Sequence, residues 1–206
     1  MTVNDKYEIT DIAHAEFPFL HRIRALRDIE PDVCAGELGG FVESEDNLSF
    51  AVGDNAWIFG DAIAAGEACV DKGAQLRERA IACHWAYVSQ GAVLSGDAMA
   101  GDYAYIRGAM LTGHARAAGN SVIRNGKTGA PVLAGSCTVY GKVAGNVRLL
   151  GKTVVLGGEE IDHDHPDTLI LDGPNRAVLC DPKRDRLTPR QEAPEKPKAK
   201  RREAVR

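Results

Sequence analysis

Two histidines, His84 and His114, are the residues of this 206-residue chain best suited to acid–base chemistry. Imidazole can act as a general base near neutral pH. Such a base could serve acyl transfer from an acyl-CoA, provided that an acceptor pocket and a closing loop lie beside it. The longest interruption that the sequence predicts, residues 126–135, carries no histidine. We therefore interpret both histidines as exposed turn residues and keep catalysis by His114 or His84 as the alternative.

The stretch DHDHPD at residues 162–167 has the highest density of metal-binding side chains. His163 and His165 would share a face if the segment were extended, because alternate residues of a strand point the same way. Pro166 and the charged neighbours are more typical of a polar connector. The sequence therefore predicts a loop without a resident metal, with His163 and His165 as weak candidates.

The cysteines say more about the cellular compartment of the protein than about a reaction or a metal site. There are five of them, and no two have CxxC spacing: Cys34, Cys69, Cys83, Cys137 and Cys180. This number and spacing argue against a disulfide framework and a zinc site and fit a reducing, cytoplasmic compartment. No run of 18 apolar residues and no signal-peptide pattern is present, so we expect no membrane association.

A repeat through the middle of the chain must position all these side chains. Alanine recurs every six residues from Ala56 to Ala104, and an apolar residue follows each alanine two positions later. This second series is itself alanine at every third member, namely Ala64, Ala82, Ala100 and Ala117. Short strands that point alternate side chains inward, three to a coil of 18 residues, explain both periods. The sequence thus predicts an all-β, single-stranded parallel β-helix of about five to six triangular coils.

The later part of the repeat is less regular. After Ile123 we expect residues 126–135 to loop out and the coils to resume, with Ala144 in the alanine column. Around the helix, the sequence divides into N-terminal cap strands at 1–38, the β-helix at 39–160 and a C-terminal loop and hairpin at 161–182. Residues 183–206, rich in proline and charge, predict a disordered basic tail.

Residues 20–62 resemble the opening segment of a group of bacterial and prophage hexapeptide-repeat proteins. The matching parts are IRALRDI, AGELGGFVE, NLS and GDNAWIFGDA. The resemblance extends over about residues 20–160 and implies a left-handed β-helix, but it implies no activity. Many hexapeptide β-helices also resemble acyl-CoA transferases that use a histidine base at a subunit boundary, which is the origin of the enzymatic alternative and of acyl-CoA as its cofactor.

The residues between the inward positions should face outward, and many are apolar. The period places them in three columns: Ile63, Ile81, Met99 and Arg116; Cys69, Tyr87, Tyr105 and Val122; and Trp57, Gln75, Val93 and Met110. Apolar columns on flat faces exceed the scattered apolar residues of an ordinary surface and indicate contact with something else. We expect an interface to include Ile63, Ile81, Met99, Tyr87, Tyr105 and Trp57. Ile63, Ile81 and Met99 are preferred because these three side chains lack polar groups.

The net charge of the main part of the chain differs in sign from that of the C-terminal tail. Residues 1–180 have a balance of −9 and residues 181–206 one of +5. The tail is the only candidate for nucleic-acid binding, which its lack of aromatic residues and the acidic body argue against. The sequence thus predicts a non-catalytic binding or scaffold protein without a cofactor. It would form a dimer or trimer, or bind a protein partner, through a flat face, and prophage-encoded modulation of another protein is a further hypothesis.

Overall fold

The computed structural model describes residues 4–179, so the basic tail predicted at 183–206 lies outside the described residues. These residues form 23 strands and one 3-10 turn at Glu45–Asn47. The strands are β1 (Tyr7–Ala13), β2 (His21–Ala25), β3 (Leu38–Val42), β4 (Trp57–Ile58), β5 (Ile63–Ala64), β6 (Cys69–Val70), β7 (Gln75–Leu76), β8 (Ile81–Ala82), β9 (Tyr87–Ser89), β10 (Val93–Leu94), β11 (Met99–Ala100), β12 (Tyr105–Arg107), β13 (Met110–Leu111), β14 (Arg116–Ala117), β15 (Val122–Arg124), β16 (Val132–Leu133), β17 (Thr138–Val139), β18 (Lys142–Gly145), β19 (Val147–Leu150), β20 (Val154–Val155), β21 (Glu160–His163), β22 (Thr168–Asp172) and β23 (Asn175–Leu179).

The strands form three sheets, which we call sheets I, II and III. Each coil contributes one short strand to each sheet, and the coil strands pair in parallel. Sheet I has the order β1-β2-β3-β5-β8-β11-β14-β17-β20, sheet II β23-β22-β19-β16-β13-β10-β7-β4, and sheet III β21-β18-β15-β12-β9-β6. Together they form a β-solenoid of about seven coils, as expected of a left-handed β-helix. The fold class inferred from the repeat is therefore confirmed.

The registers confirm the 18-residue period. Ala64 lies opposite Ala82, Ala82 opposite Ala100, and Ala100 opposite Ala117 in sheet I. All four are fully buried. An inward column of methyl groups keeps this side of the coil close to the opposite corner, so a larger side chain at these positions would overpack the core.

The later coils differ from the prediction. The expected loop at 126–135 is wrong in its second half, because β16 forms there and Leu133 lies in register between Leu111 and Leu149. Ala144 pairs with Arg124 in sheet III, and the alanine column of sheet I continues through Val139 and Val155. The inserted residues shift the six-residue phase, so the small size of Ala144 was a misleading guide.

The coil count is also higher than the expected five to six. At the first end, β3 already pairs in parallel with β5. At the last end, β21 pairs in parallel with β18, and β22 with β19, within the segment expected to be a loop and hairpin. Strand β22 also forms the antiparallel hairpin with β23. The terminal segments therefore continue the stack instead of only covering it.

The N-terminal cap attaches through buried polar groups. Strands β1 and β2 extend sheet I as an antiparallel hairpin. The fully buried Lys6 donates from Nζ to the Ser49 carbonyl oxygen at 2.7 Å, and the Tyr7 hydroxyl lies 2.8 Å from the Leu48 carbonyl oxygen. Among the described residues no helix is long and apolar enough to cross a membrane.

Burial lowers the pKa of Lys6 to about 8, which makes the stability of the cap depend on pH. Above pH 8 the folded protein releases this proton while the unfolded chain still holds it, so the free energy of unfolding should rise with pH. We expect a gain of about 1 kcal/mol between about pH 7.5 and about pH 9. From about pH 8 upward the raised thiol pKa values of Cys69, Cys83 and Cys137 act in the opposite direction, so the contribution of Lys6 is the difference between the wild type and a variant that lacks this amine.

Urea unfolding at closely spaced pH values measures this gain. The matched variant Lys6→Met should lose the rise over the same range. An identical pH profile in the variant would show that Lys6 does not cause it.

Candidate functional site

The outward face of sheet I carries a shallow groove of about 500 Å³. Its floor consists of the outward side chains of β5, β8 and β11, which are Ile63, Ile81 and Met99. These three residues are in direct register, as the sequence predicted for this column. The rigid stack of strands thus places three apolar side chains in a row along the solenoid axis.

The N-terminal cap covers one end of this row. Ile63 is only 9% exposed and packs in a small cluster with Leu20 and Phe41. Ile81 and Met99 remain half-buried and line the open part of the groove. The predicted interface column is therefore divided, with Ile63 held by this chain's own cap.

The wall of the groove is the loop between β1 and β2. The His14 ring packs edge-on against Phe41 with centroids 4.7 Å apart and stacks on Phe17 at 5.3 Å. The backbone amides of Glu16 and Phe17 both donate to His14 Nδ1 at 3.2 Å. These contacts hold the loop upright on the face of sheet I, with Phe17 exposed at its tip.

A column of charged residues forms the rim, two positions before each residue of the floor. Arg79 donates through Nε and Nη2 to the two carboxylate oxygens of Asp97, at 2.7 and 2.9 Å. Asp61 pairs with Arg22 at 2.8 Å, and His114 Nδ1 lies 3.4 Å from Asp97 Oδ2. Because at least one member of each pair is well exposed, each pair stabilises the fold by at most about 1 kcal/mol. They are available to a partner as well.

The two tyrosines of the predicted interface lie on sheet III, away from the groove. Tyr87 and Tyr105 stack with ring centroids 5.5 Å apart. The Tyr87 hydroxyl donates to Asp71 Oδ2, and Lys72 Nζ lies within hydrogen-bonding distance of the same hydroxyl. Both rings are half-buried. The column from Cys69 to Val122 is in register as predicted, but within residues 4–179 no loop stands on this face as one does on sheet I.

Trp57 is in register with Gln75 in its predicted column, but the prediction that it belongs to an exposed interface is wrong. Its side chain is 1% exposed and lies edge-on to the Tyr7 ring at 6.3 Å. Strand β4 is the first strand of sheet II, so no earlier coil stacks on it. The N-terminal cap covers Trp57 instead, which makes this residue part of the core.

The candidate catalytic histidines lie on different corners of the coil. His84 follows β8, on the corner from sheet I to sheet III, whereas His114 follows β13, on the corner from sheet II to sheet I. Both are exposed, and His84 has a left-handed backbone with φ of 58°. The Asp102 amide donates to His84 Nδ1 at 3.2 Å, so the neutral ring carries its hydrogen on Nε2 and its lone-pair nitrogen is already engaged by the backbone. One chain does not bring the two histidines together.

The histidines of the DHDHPD stretch lie at the end of β21 and just beyond it. The His163 and His165 rings are 5.7 Å apart and tilted. His163 Nε2 lies 3.0 Å from the Asp167 carbonyl oxygen, and Asp164 accepts hydrogen bonds from the amide and hydroxyl of Thr128. Over residues 4–179, no group of three or more histidine, cysteine or acidic side chains converges for a metal ion.

A second depression, of about 490 Å³, lies at the N-terminal end of the solenoid. Its lining comes from the irregular segment at 45–52 and from Asp5, and it includes Glu45, Asp46 and Phe50. It has no floor of stacked strands. The groove on sheet I is therefore the better candidate, because its side chains have fixed spacing.

The sequence identified the floor of the groove but not its wall or rim. The wall comes from residues 14–17, which the sequence assigns only to a cap. The rim could have been found, because Asp61, Arg79 and Asp97 recur with the same 18-residue period as the floor. Compared with protein-family models, curated proteins and solved structures, the chain has no match.

Proposed function

We propose that the protein is a non-catalytic scaffold that self-associates through the groove on sheet I. The observation that supports this proposal most directly is the apolar floor of Ile81 and Met99, left open between a charged rim and the loop wall. Covering two such side chains contributes about 25 cal/mol for each Å² of apolar surface removed from water. A second copy of the chain is the occupant proposed for the groove.

The proposed cellular location and type of partner rest on the free cysteines and on the charges beside the groove. Free thiols at Cys34, Cys69 and Cys83 fit a cytoplasmic protein. An apolar floor between charges of both signs suits a protein surface better than a polyanion, since nucleic-acid sites are strongly basic. Neither a cofactor nor a membrane is part of the proposal. Modulation of a host or phage protein by the assembled scaffold is its hypothetical role in a prophage.

Acyl-CoA-dependent transfer through His114 or His84 is the competing function. It requires a trimer in which a neighbouring subunit completes a pocket beside one of these histidines. In the single chain both imidazoles are exposed, and His114 reaches the groove only at its charged rim, beside Asp97. The geometry therefore favours the scaffold.

Native mass spectrometry of the full chain, with and without acetyl-CoA, tests the proposal together with the variant Met99→Glu. The wild type should be a dimer that does not retain the coenzyme. Met99→Glu should weaken association by about a hundredfold, because dimerisation would bury two carboxylates in an apolar groove. The matched control is Val93→Glu, which alters a half-buried outward residue of the same coil on sheet II.

Three results would contradict the proposal. A monomeric wild type would remove self-association. Equal losses in the Met99 and Val93 variants would remove the groove as the interface. A trimer that retains acetyl-CoA would favour the acyltransferase.

A further inference from the structure

The rim of the groove alternates in charge from one coil to the next. Asp61, Arg79, Asp97 and His114 occupy the same corner on four successive coils. Each lies two residues before an outward residue of sheet I, so charge and floor share one register. Along the solenoid axis the rim therefore reads negative, positive, negative and then an ionisable imidazole.

This order determines which arrangement of two copies is electrostatically favourable. Two copies can face each other through sheet I, related by a two-fold axis that runs parallel to the strands. Each corner of one copy then faces the same corner of the other copy, and the coils of the two copies run in opposite order. If the axis passes between β8 and β11, Arg79 lies opposite Asp97 of the second copy, and Asp61 lies opposite His114. The floor then matches as well, since Ile81 lies opposite Met99.

Neighbouring registers are unfavourable. An axis through β8 would place Arg79 against Arg79 and Asp61 against Asp97, and an axis through β11 would place Asp97 against Asp97. Like charges facing each other across an interface oppose binding, so the alternation selects one register. A two-fold axis parallel to the solenoid axis would instead place this rim opposite the corner that follows each strand of sheet I. The residues there, Ala65, Cys83 and Gly101, carry no charge, so that arrangement gains no charge pairing.

The wall of the groove also fits this arrangement. The loop from His14 to Leu20 stands over β5, near one end of the contact. The axis between β8 and β11 places that loop over β14 of the second copy, where no loop stands. Glu16 of the loop would then approach Arg116 of the second copy, a pair of opposite charge.

We propose that two copies of the chain pack face to face through sheet I as an antiparallel dimer, with the two-fold axis between β8 and β11. This arrangement rests on the proposed function, to which it adds the geometry of the partner. The pair between Arg79 and Asp97 occurs twice, once on each side of the axis. The loop from His14 to Leu20 of each copy also covers part of sheet I of the other copy.

Charge reversal in separate chains tests the geometry. Arg79→Glu would place two carboxylates opposite each other at both symmetry-related contacts, and Asp97→Arg would place two guanidinium groups there. Each variant alone should dimerise at least about tenfold more weakly than the wild type at low salt. An equimolar mixture should recover dimerisation, because the introduced carboxylate of one chain then faces the introduced guanidinium group of the other.

The readout is native mass spectrometry with one variant isotopically labelled, so that the mixed dimer has its own mass. Recovery should come mainly from the mixed dimer, since both kinds of homodimer remain repelled. Circular dichroism and thermal melts of each variant provide the folding control, since the Arg79 side chain is 73% exposed and that of Asp97 35%.

The failures of the two proposals are distinguishable. If the wild type is a dimer that Met99→Glu disrupts, but the mixture stays monomeric, self-association stands and the antiparallel register falls. If either single variant dimerises as tightly as the wild type, Arg79 and Asp97 do not face each other and the register also falls. A monomeric wild type overturns both.

Discussion

Replacing Trp57 by alanine should lower the free energy of unfolding by about 3–5 kcal/mol, one of the largest single losses in this chain. The indole is buried between the first coil and the N-terminal cap, edge-on to the Tyr7 ring. Gly39 leaves room for it, because a Cβ there would lie 2.8 Å from Trp57 Cζ2. Truncation would leave a cavity that the cap and the coil share, and neither can collapse without moving the other.

The chain offers a matched control for this substitution. Trp85, the other tryptophan, is 55% exposed and stacks on Tyr103 at 4.9 Å. Trp85→Ala should cost at most about 1 kcal/mol, because it removes one exposed ring contact and creates no cavity. Urea unfolding of both variants measures the difference.

Fluorescence adds an independent check of the same prediction. Each variant keeps one tryptophan, so the emission of Trp85→Ala reports on the buried ring and should be blue-shifted relative to that of Trp57→Ala. Similar losses of stability and similar emission maxima would show that Trp57 is exposed after all.

The second large effect should come from Gly145→Ala, in the last complete coil. Gly145 has φ of 82°, and an added Cβ would lie 2.4 Å from the His163 carbonyl oxygen. That carbonyl also accepts from the Asn146 amide at 2.8 Å, and Gly145 pairs with His163 between β18 and β21. The methyl group must push β21 away, so strain and lost strand pairing add together. We expect a loss of about 3–5 kcal/mol.

Gly73→Ala separates the two contributions. Gly73 has φ of 75°, but an added Cβ there would meet nothing within 4 Å. It should therefore show the cost of the left-handed backbone alone, about 1–2 kcal/mol. Chemical denaturation gives the two totals, and hydrogen exchange should show that the loss in Gly145→Ala concentrates in β21, β22 and β23. Equal losses in the two variants would exclude the contact with His163 as a cause.

The periodicity of the sequence predicted which side chains of the repeat point inward and which point outward. The stacked alanines of sheet I and the three outward columns follow from alternation within a short strand and from a coil of 18 residues. No tertiary information was needed, because residues 18 apart must stack when three strands close a coil. The same reasoning placed Ile81 and Met99 on one face, and the structure shows them in register there.

The errors arose where a residue's surroundings come from outside the repeat. Trp57 occupies an outward position by period, but it lies on the first strand of its sheet, where the cap covers it. Ala144 has the right size for the alanine column, but the inserted residues before β16 changed the phase. The wall of the groove depends on how residues 14–20 fold back onto sheet I, a long-range contact that no local pattern encodes.

The two ends of the solenoid are closed very differently. Tyr7, Lys6 and Trp57 are buried at the first end, whereas every residue of β23, at the last end, is exposed. In a solenoid each coil is held mainly by its neighbours, so unfolding behaves like the opening of a one-dimensional zipper. The first end is well packed and the last end is exposed, so we expect coils to be lost in order from β23 towards β4. The groove lies within the first three coils next to the cap, so it should be among the last features to disappear, and the fold can fray substantially while its candidate interface stays intact.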